Sequence, residues 1–367
     1  MQFTGAAMSS RATSAILLVC VFCVSNLAAA RPLGYRKGLK VSMRGNPLVK
    51  DLRALTYAPD GRDPHKASYR GTAAYVAGRL RAQGVKPLKT GRRGATGYLQ
   101  TFSFNTVGNK RVTSWNVVGV REGSAPKKGK TREAILVMGH LDGLSTRDKR
   151  DFPKSRKYRG ANDNASGVSA ALYISQALAR YERVTGKKLK RDVVFMFSSA
   201  EEQGCVGAEA FAKFTKQFGK TKFVGAVNLD MVATGDKLYM HGGLTASAAK
   251  RNPVYRRAMA LNKRRGGIKL LAGHLKEKAF SASDNQVTHA GGIPSVFITT
   301  GSTPTLHTVK DTFKSCSPAM HKKAAQKALR VVHSLATAPR APSRGRTFPL
   351  KLKGFIGWGD KDLFPGK

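Results

Sequence analysis

The sequence predicts an α/β protein with a mainly parallel mixed sheet sandwiched by helices in a single domain. Three observations carry this: 367 residues with 41% apolar content suffice for one full core; from residue 134 onward short apolar runs alternate with segments of helical period; and strand–helix alternation of this kind implies parallel strands covered on both faces. Taken in order, residues 66–83 carry Tyr69, Ala73, Val76, Ala77 and Leu80 at helical spacing. Residues 134–139 form an apolar strand ending at His140, and 165–181 a helix. Residues 192–197 form a strand leading to Glu201, and 207–218 a helix. Residues 223–229 form a strand ending at Asp230, 252–264 a helix, 293–299 a strand just ahead of His307, and 317–336 a closing helix.

The chain ends read differently. Residues 1–30 hold one charge, Arg11, then an apolar run over 15–24 and Ala28-Ala29-Ala30, the pattern of a signal peptide cleaved near Ala30. The run is short of the ~20 residues that span a bilayer, and neither Cys20 nor Cys23 suits a lipoprotein site. The expectation is therefore a secreted or periplasmic protein without a transmembrane anchor. A basic arm at 31–40 opens an N-terminal segment, 31–119, expected to pack on the core at 120–337, and 338–367 reads as a basic tail with Phe355 and Trp358. Past the leader two cysteines remain, Cys205 and Cys316, which allow one disulfide or two free thiols.

Lys and Arg outnumber Asp and Glu by 65 to 21, a formal net charge of +44. Such a field favours anionic partners such as acidic envelope polymers or membrane surfaces; a lineage-wide basic bias accounts for it equally well. The basic residues are spread along the chain, aromatic residues are 8%, and no RNP-like or zinc-finger pattern occurs, which argues against specific nucleic-acid binding. Oligomeric state is left open.

The candidate metal ligands are His140, Asp163, Glu202, Asp230 and His307, most of them directly after a predicted strand. Side chains at the carboxyl ends of parallel strands converge at one crevice, and mixed imidazole and carboxylate donors suit zinc better than magnesium or calcium. Singly each has a plainer reading: His140 as a loop histidine, Asp163 as the cap of the next helix, Glu201-Glu202 as a complement to a helix dipole, Asp230 as a turn residue. Their order and context together favour the metal site. His65, His241, His274, His289, His321 and His333 fit no such block and read as surface or core.

The blocks GHLD (139–142), NDNASG (162–167), SAEEQG (199–204), NLDM (228–231) and HTVKDT (307–312) resemble, in the same order, those of the co-catalytic di-zinc aminopeptidases, a family that includes bacterial leucyl aminopeptidase, aminopeptidase Y and the glutamate carboxypeptidases. Gly61-Arg62 and Asn116-Val117-Val118-Gly119 are similar too, so the resemblance covers roughly 47–337. It implies a zinc-exopeptidase-like fold with a di-zinc peptidase core and two Zn2+ ions. His140 and Asp230 would hold one, Glu202 and His307 the other, and Asp163 would bridge them. It further implies that a hydroxide shared by ions ~3.5–4 Å apart attacks the peptide, with Glu201 as general base and Asp142 accepting a hydrogen bond from His140. Two departures stand out: Asn285 follows Ser283-Asp284 where a histidine is common, and Leu306 precedes His307 where a tyrosine is common. They bear on substrate preference and rate rather than on metal binding. The expected reaction is removal of N-terminal residues from peptides. The alternatives are a carboxypeptidase or dipeptidase of the same family, a single-zinc glutaminyl cyclase, or an inactive basic binding protein. Between the first two blocks, 147–159 holds seven cations against two carboxylates, a rim expected either to be a solvated loop or to attract acidic peptides.

Overall fold

The computed structural model describes residues 46–342 except 89–94, 107–108, 125, 127–128, 145–157, 219–220, 263–270 and 273–282. The leader, the basic arm, most of the tail, His274 and nearly all of the 147–159 rim lie outside the described residues. Among those described, no helix is long and apolar enough to cross a membrane.

Two helices come first, α1 (Pro47–Thr56) and α2 (Tyr69–Ala82). The side chain of Asn46 accepts from the Val49 amide at 3.4 Å, and Pro47 occupies the first helical position, where no N–H is needed. Then come β1 (Lys86–Pro87), β2 (Ala95–Thr96), β3 (Leu99–Asn105), β4 (Arg111–Arg121), β5 (Arg132–His140), α3 (Ser166–Thr185), β6 (Asp192–Ser198), α4 (Val206–Phe214), β7 (Thr221–Leu229) and β8 (Tyr239–His241). The chain continues through α5 (Ala246–Arg251), α6 (Pro253–Asn262), β9 (Leu271–Ala272), α7 (Asn285–Ala290), β10 (Ser295–Thr299) and α8 (Pro318–Thr337). Gly186, at φ 65°, stops α3 in the left-handed conformation that glycine adopts cheaply. Ser317 caps α8 by accepting from the Met320 amide.

The described strands form one sheet in the order β2-β3-β4-β6-β5-β7-β10-β8-β9, with β1 paired to β4. The parallel character expected from the sequence is concentrated in the centre, where β6, β5, β7 and β10 run the same way, and recurs at one edge, where the short β9 pairs parallel with β8. β4 joins β6 antiparallel, as β8 joins β10. The N-terminal segment does more than pack on the core, because β4 lies within the sheet, Val117 opposite Phe197 and Arg121 opposite Val193. Both faces are buried, so the middles of the central strands are apolar on both sides. Ile135, Val137, Val193, Phe195 and Phe197 face the core formed with α1, α2, α3 and α8. Leu136, Met138, Val194 and Met196 face the opposite core with Phe211 and Phe214 of α4, following the two-residue period of a strand. All four parallel strands thus deliver their C-terminal loops to one edge of the sheet.

Candidate metal centre

His140 is the last residue of β5, and Asp230 directly follows β7. Gly139 lets those strands approach, since a Cβ there would sit 2.9 Å from the Leu229 carbonyl. Asp163 lies on the connection between β5 and α3. Its reading as the cap of α3 is corrected by its neighbour: Asn164 Oδ1 accepts from the Gly167 amide at 2.8 Å and the Met231 amide at 3.3 Å, while its Nδ2 donates to Leu229 O at 2.9 Å. Asn164 therefore serves the helix start, and the Asp163 carboxylate is released toward the crevice. Glu201 and Glu202 follow β6, and His307 lies on the loop after β10. Ala200, Met231 and His307 take left-handed backbone angles, φ 56°, 54° and 55°, a conformation that costs non-glycine residues on the order of 1 kcal/mol each and tends to be kept where function demands it.

These loops bring the expected ligands together. His140 Nε2 lies 3.1 Å from Asp163 Oδ1 and 3.3 Å from Asp230 Oδ1; His307 Nε2 lies 3.1 Å from Asp163 Oδ2 and 3.4 Å from Glu202 Oε2. Each oxygen of Asp163 therefore faces a different imidazole. One nitrogen carries at most one proton, yet each imidazole nitrogen is approached by two carboxylates, which a hydrogen bond alone does not explain. Donors ~2.0–2.1 Å from a tetrahedral zinc stand about 3.3 Å apart, and the observed separations match that edge. Glu202 Oε1 is buried without a hydrogen-bond partner among the described residues, again a donor atom aimed at something the side chains do not supply. The donor set fits zinc. Glu201 Oε2 stands 3.9 Å from His140 Nε2, close to both ligand groups. Asp142 Oδ1 faces His140 Nδ1 at 3.6 Å, longer than the hydrogen bond the resemblance implied, and its Oδ2 accepts from the Glu202 amide at 3.3 Å.

The electrostatics point the same way. Burial, then the nearby carboxylates, push the Glu202 carboxyl up to about 8 and hold Glu201 well above its ordinary range despite the pull of His140. Burial opposes charge on His140, but Asp230 and Glu201 outweigh it and hold the imidazole well above its usual value. Burial would raise Asp163 as well; its contacts with His140 and His307 win and hold it below the carboxylate range. Sequence reasoning missed Asp284. It is fully buried, accepts from Ser198 Oγ, and is pushed up to about 7 by burial and by Asp142 and Asp230. The signal was in view, since Ser283-Asp284 precedes the last strand, but without a ligand pattern it pointed nowhere. Asp284 brings the carboxylates here to six, with Asp142, Asp163 and Asp230 buried beside it and Glu201 and Glu202 partly buried, against two imidazoles; such an excess calls for cations.

The described histidines outside this group stay outside it. His321 Nε2 reaches Ser166 O at 2.9 Å, and His333 packs edge-on to Tyr181. Both thiols are free: Cys205 Sγ donates to Glu201 Oε1 at 3.6 Å, and Cys316 Sγ to Thr312 O at 3.8 Å.

Residues 116–332 match the model of peptidase family M28. The chain belongs to this family. Among its relatives, the alkaline phosphatase isozyme conversion protein of Escherichia coli K12 is 30% identical over 172 residues, 46% of each chain. A probable leucine aminopeptidase of Arthroderma otae is 24% identical over 57% of this M28 chain and 56% of its own. The chain thus spans about half the length of the relatives it matches. Among solved structures, a Zn-dependent exopeptidase from Parabacteroides distasonis covers 78% of this chain and 96% of its own, with a TM-score of 0.58 and 21% identity. A glutaminyl cyclase from Bacteroides thetaiotaomicron covers the same shares at 0.59 and 18%. The M28 fold is therefore shared by peptidases and cyclases.

Proposed function

We propose that this M28 chain is an exported aminopeptidase that binds two zinc ions, with His140 and Asp230 holding one, Glu202 and His307 the other, and Asp163 joining them. The observation that carries the reading is the placement of the two Asp163 oxygens, each 3.1 Å from a different imidazole. Bound there, such ions polarise a peptide carbonyl and acidify water. The chain's own residues supply the rest. Glu201, beside both ligand groups and tied to neither histidine as tightly as Asp163 is, takes a proton from the attacking water and passes it to the leaving amine; burial, which raises its proton affinity, suits it to hold that proton in between. Asp142 sits behind His140, 3.6 Å from Nδ1, placed to orient the ring when the imidazole holds a metal. Two divalent cations offset four of the six carboxylate charges, and the remaining negative field favours a substrate carrying a free ammonium group, hence an N-terminus. Export rests on the leader-like residues 1–30, and the charge of +44 would hold the protein near anionic polymers.

The test is metal analysis of the purified chain together with release of the first residue from matched peptides. The proposal expects about two zinc ions per chain and cleavage of free N-termini, with N-acetylated peptides spared. Cleavage from the C-terminus, or closure of an N-terminal glutamine with a single ion bound, would replace it with a carboxypeptidase or a cyclase.

A further inference from the structure

Arg62 is fully buried, yet among the described residues its guanidinium makes no ion pair. All five of its N–H groups meet backbone carbonyls. Nε donates to Leu141 O at 2.8 Å, Nη1 to Leu55 O at 3.1 Å and Arg159 O at 2.8 Å, and Nη2 to Gly160 O at 2.8 Å and Asp163 O at 3.3 Å. One side chain thus ties the end of α1, the loop after His140 and the segment that carries Asp163. From the other side comes Asp311, 1% exposed, whose Oδ1 accepts from the Asn162 amide at 2.8 Å and whose Oδ2 accepts from the Asp163 amide at 3.0 Å. The Asp163 backbone is therefore held at its N–H by a carboxylate and at its C=O by a guanidinium, with Tyr158 Oη adding a contact to the same carbonyl at 3.4 Å.

The surrounding backbone is shaped to admit this. A Cβ on Gly160, at φ 54°, would lie 2.2 Å from Asp163 O and 2.7 Å from Arg62 Nη2; one on Gly61 would lie 2.3 Å from Tyr158 O, and one on Gly143 2.6 Å from Gly61 O. Arg62 itself takes φ 66°, which no arginine adopts without compensation. Lysine cannot replace it, because its single ammonium has three donors and lacks the planar fork that reaches carbonyls on three segments.

We propose that Arg62 and Asp311 are positioning residues for the metal centre, acting as an opposite-charge clamp that fixes the Asp163 backbone so that its two carboxylate oxygens stay aimed at two separate ligand groups. The inference rests on the two-zinc reading of the same site. It predicts an effect on metal affinity, and on kcat more than on KM, because neither residue faces the substrate.

The experiment compares wild type with Arg62→Lys, Asp311→Asn and, as a control, Arg191→Lys. Arg191 is a buried arginine that clamps the Leu335 and Ala338 carbonyls at 2.8 Å beside α8. Zinc affinity is measured by competition with a chelator, metal-free folding by thermal unfolding, and kcat and KM on a free N-terminal peptide. Arg62→Lys and Asp311→Asn should weaken zinc binding about 10–100-fold, the usual loss when a residue behind a metal ligand is removed, and lower kcat with KM little changed. Arg191→Lys should lower the unfolding temperature and leave zinc affinity alone. Should Arg62→Lys fail to fold, Asp311→Asn, nearly isosteric, carries the test. Unchanged zinc affinity in the folded variants, a loss equal to that of the Arg191 control, or a chain that folds with neither substitution would overturn the clamp in favour of a purely structural role. A wild-type chain that binds no zinc would overturn the two-zinc reading itself, and the clamp with it.

Discussion

The two halves of the centre use the same ligand types on different scaffolds. His140 ends β5 and Asp230 follows β7, adjacent central strands, and the His140 ring is 1% exposed. Glu202 and His307 stand on loops, with His307 at φ 55° and its ring 22% exposed. A ligand at the end of a sheet strand is fixed by ladders on both sides; one on a loop is fixed by a few local bonds and can yield as substrate enters. The comparison teaches that the strand half is the anchor and the loop half the adjustable side, with His307 as its solvent-facing member.

That contrast can be broken or sharpened by experiment. The largest effect should come from the base that stands beside both halves: Glu201→Gln should retain zinc and lose ~10²–10⁴ in kcat, and full activity with the metal intact would remove Glu201 from the chemistry. Next, His307→Ala should cost one zinc and leave the fold intact. His140→Ala should lower both occupancy and unfolding temperature, because it leaves Asp163 and Asp230 buried against each other. In wild type the loop-side ion should exchange into a chelator on the order of tenfold faster than its partner; two ions lost in a single phase would erase the distinction. The smallest effect concerns His321, which joins α8, downstream of the His307 loop, to the start of α3. Burial pushes its imidazole down to about 4 from 6.5, so the folded state keeps it neutral. Its contribution to stability is complete above pH 6.5 and drains away as pH falls toward 4, where the unfolded chain takes up a proton that the folded chain refuses. His321→Gln should flatten the pH dependence of denaturant stability over that window by up to ~1.4 kcal/mol per pH unit; an unaltered slope would mean that this imidazole does not couple folding to protonation.

Much of this was legible in the sequence where chemistry and periodicity coincide. The central strands were readable because both their faces are buried and their middles run apolar, and His140, Glu202, Asp230 and His307 because each sits just past a strand or on the loop beyond it. The antiparallel flank was not: β3 and β4 lie in a segment to which the sequence assigned no strand, and β8 and β9 are too short to show a period. Asp163 was legible as a ligand only through its block, since spacing alone reads equally as the cap of the next helix, a role that Asn164 fills instead. Arg62 and Asp311 were visible as letters in matching blocks, but most of their work lies in hydrogen bonds to the backbone of segments far away in sequence, which no local pattern encodes.

The sheet order described above also sets a clock. β5 lies at the middle of the sheet, but the loop that brings His307 follows β10, which docks against the far side of β7. The two imidazoles that face Asp163 are 167 residues apart in a chain of 367, so they meet only when long-range pairing is complete, the slowest class of contact to form. Until β10 pairs, His307 is not held beside Asp163, and half of the candidate ligand set is missing. By its topology, the ligand set that the peptidase reading needs is complete only once the last of the central parallel strands is in place.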